Sequence, residues 1–280
     1  MSLLRELTKP IADKIRFFLN VDDLIPPSQF DKKIDEVYEA GKQAEYDAFW
    51  DAYQNNGNQM PWGSQAFYGK WWNDVTFYPK YDIKPGGGGS NGYFFNNGVT
   101  NLRERIDGRG LKIIIPQGIY LTMFFRDSST VELPDFDTSP SAQFAEYCQN
   151  AKSLVTIPRI NLTNATNINN AFSGTTSLKN ITFEGVIPIS INFQHSPLSV
   201  ASSKNAIKHL KNYNGTDKAG TCTVTFKASA FEELEAAGLA EEDNEWLEDK
   251  FSADKDFIEG NGWGWAELIG LLGWKLSLAV

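Results

Sequence analysis

The chain has 280 residues, 41% of them hydrophobic and 22% charged, so it can bury one or two cores and does not resemble a disordered tail. Its formal net charge of −9 opposes polyanions and argues against nucleic acid as a partner. Charged residues interrupt the N-terminal segment and no long apolar run occurs, so we expect neither a signal peptide nor membrane insertion.

Two helices are predicted near the N-terminus. Apolar residues recur at three- and four-residue steps from Leu3 to Leu19 and indicate a short amphipathic helix. A second helix is predicted from about Phe30 to Gln54, after a turn that contains two prolines.

Part of the second predicted helix follows the a/d spacing of a coiled-coil seam. The seam residues are Phe30, Ile34, Val37, Gly41, Ala44 and Ala48. We therefore interpret residues 1–57 as a helical attachment and oligomerisation module, and favour a homotrimer. The alternative is a single helix packed on its own domain, which the off-seam aromatics Trp50 and Tyr53 favour for its C-terminal half.

Residues 58–89 are rich in aromatics and turn formers and are interpreted as a compact collar that ends in a flexible linker, Gly86 to Gly89. Trp71 and Trp72 are candidates for stacking on sugar rings, although these aromatics also suit a small core of the collar itself. The glycines lack the Lys-Ser/Thr that would follow them in a phosphate-binding loop.

Residues 90–196 repeat imperfectly. Pro134 and Pro158 lie 24 residues apart, and so do Leu154 and Leu178. Each unit also begins with an aromatic residue, followed by an apolar residue six or seven positions on; these aromatics are Phe124, Tyr147 and Phe172. Units of about this length with one predicted strand each are typical of leucine-rich repeats. The predicted fold class is therefore α+β, with an N-terminal helical stalk, a short leucine-rich-repeat solenoid and an αβ cap at residues 197–280.

The predicted cap contains helices and one alternating strand. Ser199 is placed to cap a helix, TCTVTF at residues 221–226 alternates as a strand does, and a further helix is predicted at about residues 229–237. The stretch from Glu241 to Glu259 is strongly acidic and is interpreted as a solvated face, although its carboxylate pairs also leave glycoside hydrolysis open.

Two segments carry a resemblance to a known family. LKNITFEGVIPISINFQHSPLSVASSKNAIKHLKNYNGT, from Leu178 to Thr216, resembles the BspA-like leucine-rich-repeat proteins, especially those among the tail genes of phages and prophages of gut Firmicutes. The segment from Ile11 to Asn58 resembles the N-terminal module that these phage proteins carry. The resemblance implies a virion-associated or surface binding protein without a known reaction.

Few residues suggest chemistry. His195 and His209 have no metal-ligand spacing, and Cys148 and Cys222 lie in core-like patterns, so we predict no metal, no cofactor and no catalytic residue. Four asparagines are candidate ligand contacts, with hydrogen bonds to repeat backbone as the alternative: Asn161, Asn164, Asn167 and Asn169.

These observations predict a non-enzymatic phage structural protein, made in the bacterial cytoplasm and located in the virion. As a tail fibre or receptor-binding protein, it would join other virion proteins through its N-terminal helices and present the repeats to a host glycan or protein. The alternatives are a head decoration or baseplate subunit, or a polysaccharide-degrading tail enzyme.

Overall fold

A computed structural model describes residues 30–55, 80, 82–85, 102, 105 and 107–280. The chain divides into two compact units, Met1–Gly57 and Asn58–Val280. The predicted helix between Leu3 and Leu19 and the predicted collar with Trp71, Trp72 and its glycine linker lie largely or wholly outside the described residues.

The first unit contains helix α1, Phe30–Asn55, with 26 residues. Among its described side chains the buried ones are Tyr46, Trp50 and Tyr53, which recur at the four- and three-residue steps of one helical face. The rings meet edge to face, with centroids 6.2 Å apart for Tyr46 and Trp50 and 5.3 Å apart for Trp50 and Tyr53. Because aromatic side chains bury far more area than alanine or glycine, the face of α1 that carries these three residues is its buried face.

The predicted N-terminal helical stalk is wrong, although the second predicted helix, from about Phe30 to Gln54, is confirmed as α1. The helices are short, since all those described beyond α1 have ten residues or fewer. Of the predicted seam, Gly41, Ala44 and Ala48 are exposed and lie on roughly the opposite side of α1 from the buried aromatics. The side chains of Phe30, Ile34 and Val37 lie outside the described residues, and self-association along the seam stays a prediction.

In the described part of the second unit, the strands form two small parallel sheets. Strand β1, Thr156–Asn161, pairs with β2, Asn180–Glu184. Strands β3, Ile191–Phe193, β4, Cys222–Lys227, and β5, Trp274–Ala279, form the second sheet in the order β3-β4-β5. The unit is α+β, as predicted, but the predicted leucine-rich-repeat solenoid is wrong, because among the described residues no series of one strand per unit forms.

Two local features explain why no third strand is added to the sheet of β1 and β2. Pro158 has no amide hydrogen to donate, and the pairing of β1 with β2 shifts register between Ile157 and Ile160 around it. On the outer side of β2, the next segment is a helix, α2, Val200–Lys208. Its Ser202 Oγ accepts from Ile181 N at 2.9 Å and its Asn205 Oδ1 accepts from Phe183 N at 2.6 Å. Side chains of a helix thus occupy the edge where a third strand would pair.

Before β1 and between the strands, turn segments lie side by side. Met123 N donates to Ala145 O at 2.9 Å, and Glu146 N donates to Asn169 O at 2.8 Å. Each segment carries left-handed residues at matching places: Met123 and Asp127, Glu146 and Asn150, Asn170 and Gly174. The sequence repeat is therefore a repeat of turns more than of strands.

Aromatic side chains form the core of this unit. The predicted repeat aromatics Phe124, Tyr147 and Phe172 are all buried. Phe172 lies 5.3 Å from Phe193, and Phe193 lies 5.8 Å from Phe226, between ring centroids. This row of rings joins the turn segments to the second sheet.

The C-terminal part contains the remaining helices. Ser199 caps α2 by accepting from Ser202 N, and α3 spans Ala228–Ala237, so the predicted helices here are confirmed, as is the strand β4. A 3-10 turn, Glu241–Asp243, is followed by α4, Asn244–Phe251, α5, Lys255–Gly260, and α6, Trp265–Leu271.

Candidate functional site

A cleft of about 390 Å³ opens in the second unit, beside the C-terminal end of α2. One wall is the turn after β2 with Gly185 and Val186, another is the chain from Lys208 to Asn212, and the third is α4. Its volume falls in the range of about 300–1,000 Å³ that is usual for small-molecule sites.

Backbone pairing fixes the first two walls against each other. Ile187 N donates to His209 O at 2.7 Å, and Lys211 N donates to Ile187 O at 3.0 Å. Gly185 has φ +66°, a left-handed conformation that glycine adopts without strain, and its neighbour Val186 donates its N–H to Thr163 Oγ1 at 3.1 Å. The rim of the cleft is therefore held by backbone contacts.

Three lysines line the cleft: Lys208, Lys211 and Lys250. Lys208 lies in the last turn of α2, where a cation suits the helix dipole. Lys211 is exposed and forms no ion pair with any residue that the structure describes. The acidic lining residue is Asp249, whose Oδ2 lies 3.1 Å from Lys250 Nζ.

Behind the cleft, Asp243 joins α2 to the acidic segment. Its carboxylate has no exposed surface, and it contacts Lys204 Nζ at 2.8 Å and Lys208 Nζ at 2.7 Å. Ala240 N also donates to its Oδ2 at 2.8 Å. The interpretation of residues 241–259 as a solvated face therefore holds for the other carboxylates, which are exposed, but not for Asp243.

The charges of this group do not cancel. Burial raises the pKa of Asp243, but hydrogen bonds from Lys204, Lys208 and Ala240 N–H outweigh it, so the pKa of Asp243 lies below its ordinary value. One carboxylate thus faces two ammonium groups, which leaves one positive charge in excess. Among the residues that line the cleft, three lysines stand against one carboxylate, that of Asp249, in a chain of net charge −9.

Trp246 of α4 forms the aromatic part of the lining. Its indole stacks on Trp265 with centroids 6.0 Å apart and meets Phe251 edge to face at 5.4 Å. Trp246 Nε1 donates to Lys208 O at 3.3 Å. The ring is fixed before any ligand arrives, so a contact with it costs little conformational entropy.

The two histidines have structural contacts. His209 Nδ1 faces the carbonyl oxygen of Gly185, which can only accept, so Nδ1 carries the proton. His195 Nδ1 accepts from Gly174 N at 3.2 Å and therefore carries none. The described residues contain no group of three His, Cys, Asp or Glu that could hold a metal ion.

None of the predicted asparagine contacts is among the residues that line the cleft, although Asn161 lies beside Gly185 of the rim. Asn161 Oδ1 accepts from Thr163 N at 3.0 Å, Asn167 Oδ1 accepts from Asn169 N at 3.1 Å, and Asn164 Nδ2 donates to Ser139 O at 3.0 Å. These are the backbone bonds that the alternative interpretation expects of asparagines in repeat turns. Asn164 and Asn169 are nevertheless exposed, and their role as ligand contacts stays a prediction.

The other candidate residues are two tryptophans of the predicted collar and the two cysteines. Trp71 and Trp72 lie outside the described residues. Cys148 and Cys222 are both free thiols; burial raises the pKa of Cys148 well above its usual value, which makes it a poor nucleophile. Cys222 is partly exposed, so the prediction that it is a core residue holds less well.

The sequence analysis did not identify the lysine–aspartate group or the cleft. Lys204 and Lys208 lie one helical turn apart, which puts them on one face of α2, but Asp243 is 39 residues from Lys204 and nothing in the spacing connects them.

In the part of the chain that the structure describes, no helix combines the length and apolar character that a membrane span needs. Comparison with protein families, curated proteins and solved structures finds no match, so the comparisons assign the chain to no family.

Proposed function

We propose that the protein is a non-catalytic phage virion protein, a tail fibre or receptor-binding component that contacts a glycan or protein of the host surface. The resemblance of the segment from Ile11 to Asn58 to phage N-terminal modules supports the virion part of the proposal. In this proposal the first unit attaches to other virion proteins and self-associates, and the second unit binds the host.

The cleft beside α2 is the observation that carries the binding role. It has the size of a ligand site, a fixed aromatic ring and an excess of positive charge, on walls that backbone hydrogen bonds hold in place. A rigid site of this kind binds with little loss of entropy.

The buried carboxylate of Asp243 does not suit the proton donor of a glycoside hydrolase. A glycoside hydrolase needs a carboxylic acid whose pKa is raised so that it holds a proton to donate. Asp243 has the opposite shift, because two lysines and a backbone N–H stabilise its charged form. Its contacts suit a structural ion pair.

Sedimentation with host cell walls tests this function. The full chain is incubated with walls of the host bacterium and of a non-host, and both the bound protein and the soluble reducing ends are measured. We expect binding to host walls only, with no release of reducing ends above the buffer control. Release of reducing ends would establish the enzyme alternative, and equal or no binding to both walls would contradict a host-binding role.

A further inference from the structure

We infer that the cleft beside α2 binds an acidic sugar, one that carries a carboxylate or a phosphate. This inference rests on the proposed host-binding function and names the ligand chemistry of its site. It is drawn from three properties of the cleft: its charge, its fixed indole and its size.

The charges of the lining residues favour an anionic ligand. Lys208, Lys211 and Lys250 line the cleft, while its carboxylates are Asp249 in the lining and Asp243 behind it. Among the lining residues themselves, three ammonium groups stand against one carboxylate, that of Asp249. A ligand with one or two negative charges would balance this excess, and Lys211 is the cation best placed to meet it because it has no acidic partner among the described residues.

The remaining lining suits a sugar ring better than a bare anion. Val186 is 38% exposed and contributes apolar surface, and the indole of Trp246 is held by Trp265, Phe251 and the carbonyl of Lys208. Aromatic and apolar surface beside charged groups contacts the carbon face of a sugar while the lysines bind its acidic substituent. A simple inorganic anion would leave about 390 Å³ largely unfilled.

Two lysines give a matched pair of variants. Lys211 Nζ and Lys218 Nζ both lie over the ring of Tyr213, at 5.5 Å and 5.8 Å from its centroid, and both are exposed. Only Lys211 is among the residues that line the cleft. Lys211→Glu and Lys218→Glu therefore make the same change of charge and remove the same kind of ring contact, but only the first alters the cleft.

The test is an NMR titration of the full ¹⁵N-labelled chain with glucuronate, glucose 6-phosphate and glucose. We expect saturable shifts of the indole N–H of Trp246, assigned with Trp246→Phe, and of the amide of Gly185 with one or both acidic sugars and not with glucose. The two acidic probes separate a carboxylate ligand from a phosphate ligand. Lys211→Glu should weaken binding by about fivefold or more, and Lys218→Glu should change it by less than about twofold.

The inference is overturned if neither acidic sugar shifts these signals, if glucose does so equally, or if Lys218→Glu weakens binding as much as Lys211→Glu. Sedimentation with host walls, run on the same preparations, separates the two proposals. Wall binding that survives in Lys211→Glu would overturn the assignment of the cleft and leave the host-binding function standing.

Discussion

Lys204 Nζ lies 2.8 Å from Oδ2 of Asp243, a carboxylate with no exposed surface, across 39 residues of chain. With Lys208 on the other oxygen, this group joins the acidic segment to α2, and Lys208 is also one of the residues that line the cleft.

Replacing Asp243 should destabilise the second unit strongly. Asp243→Asn removes the charge that compensates Lys204 and Lys208, whose side chains are only 12% and 24% exposed, and we expect a loss of about 3 kcal/mol in the free energy of unfolding. Urea unfolding followed by tryptophan fluorescence measures it. The control is Asp249→Asn, at an exposed carboxylate paired with Lys250, which should cost less than about 0.5 kcal/mol. Equal effects of the two variants would show that the buried pair adds nothing.

The same group makes stability depend on pH in acid. The folded-state pKa of Asp243 is lowered below 3.8, so its contribution is fully present above that value and is lost as the pH falls through the lower, folded-state pKa. Unfolding free energies measured from about pH 7 to about pH 2 should fall more steeply below pH 3.8 in the wild type than in Asp243→Asn. Parallel profiles would contradict the lowered pKa.

Gly185 should be much less tolerant of alanine than a comparable glycine elsewhere. A Cβ at Gly185 would collide with Oγ1 of Thr163, which is held by the N–H of Val186, whereas a Cβ at Gly215 meets nothing within 4 Å. Both residues have positive φ, +66° and +71°, so both variants pay the conformational cost of about 1 kcal/mol. We expect Gly185→Ala to lose about 2 kcal/mol more than Gly215→Ala, measured by chemical unfolding. A smaller or reversed difference would mean that the rim of the cleft moves to accommodate the added Cβ atom at little cost in stability.

Self-association should depend on the exposed small residues of the seam, Gly41, Ala44 and Ala48. Ala44→Glu places a charge among these residues, while Gln54→Glu places the same charge at an exposed position of α1 that lies off the seam face. Sedimentation velocity of the wild-type chain should show an oligomer, with a trimer favoured, that Ala44→Glu dissociates and Gln54→Glu retains. A monomeric wild type would end the oligomerisation prediction.

Local signals in the sequence predicted local structure well. Ser199 as a helix cap, the alternating strand at residues 222–227 and the buried aromatics Phe124, Tyr147 and Phe172 all follow from short-range patterns. The stalk prediction was wrong because the spacing of the seam residues does not show which face of the helix is buried. In α1 the buried face is the one that carries the aromatic residues Trp50 and Tyr53.

Two properties of the second unit depend on distant contacts. Whether a repeat of about 24 residues forms strands or turns depends on what pairs with each edge, and here Ser202 and Asn205 of α2 cover β2. The cleft brings together residues 185–186, 208–212 and 246–250, and its buried acid is one carboxylate among many in an acidic stretch. Nothing in the spacing distinguishes Asp243 from its exposed neighbours.

The proposed role is that of a virion component that contacts the host surface. Electron microscopy of purified particles of the phage that encodes the chain, labelled with gold-conjugated antibody against the second unit, tests this role. We expect gold at the tail tip or fibres, on the part of the particle that meets the host cell. Particles without gold, or gold confined to the head, would contradict it.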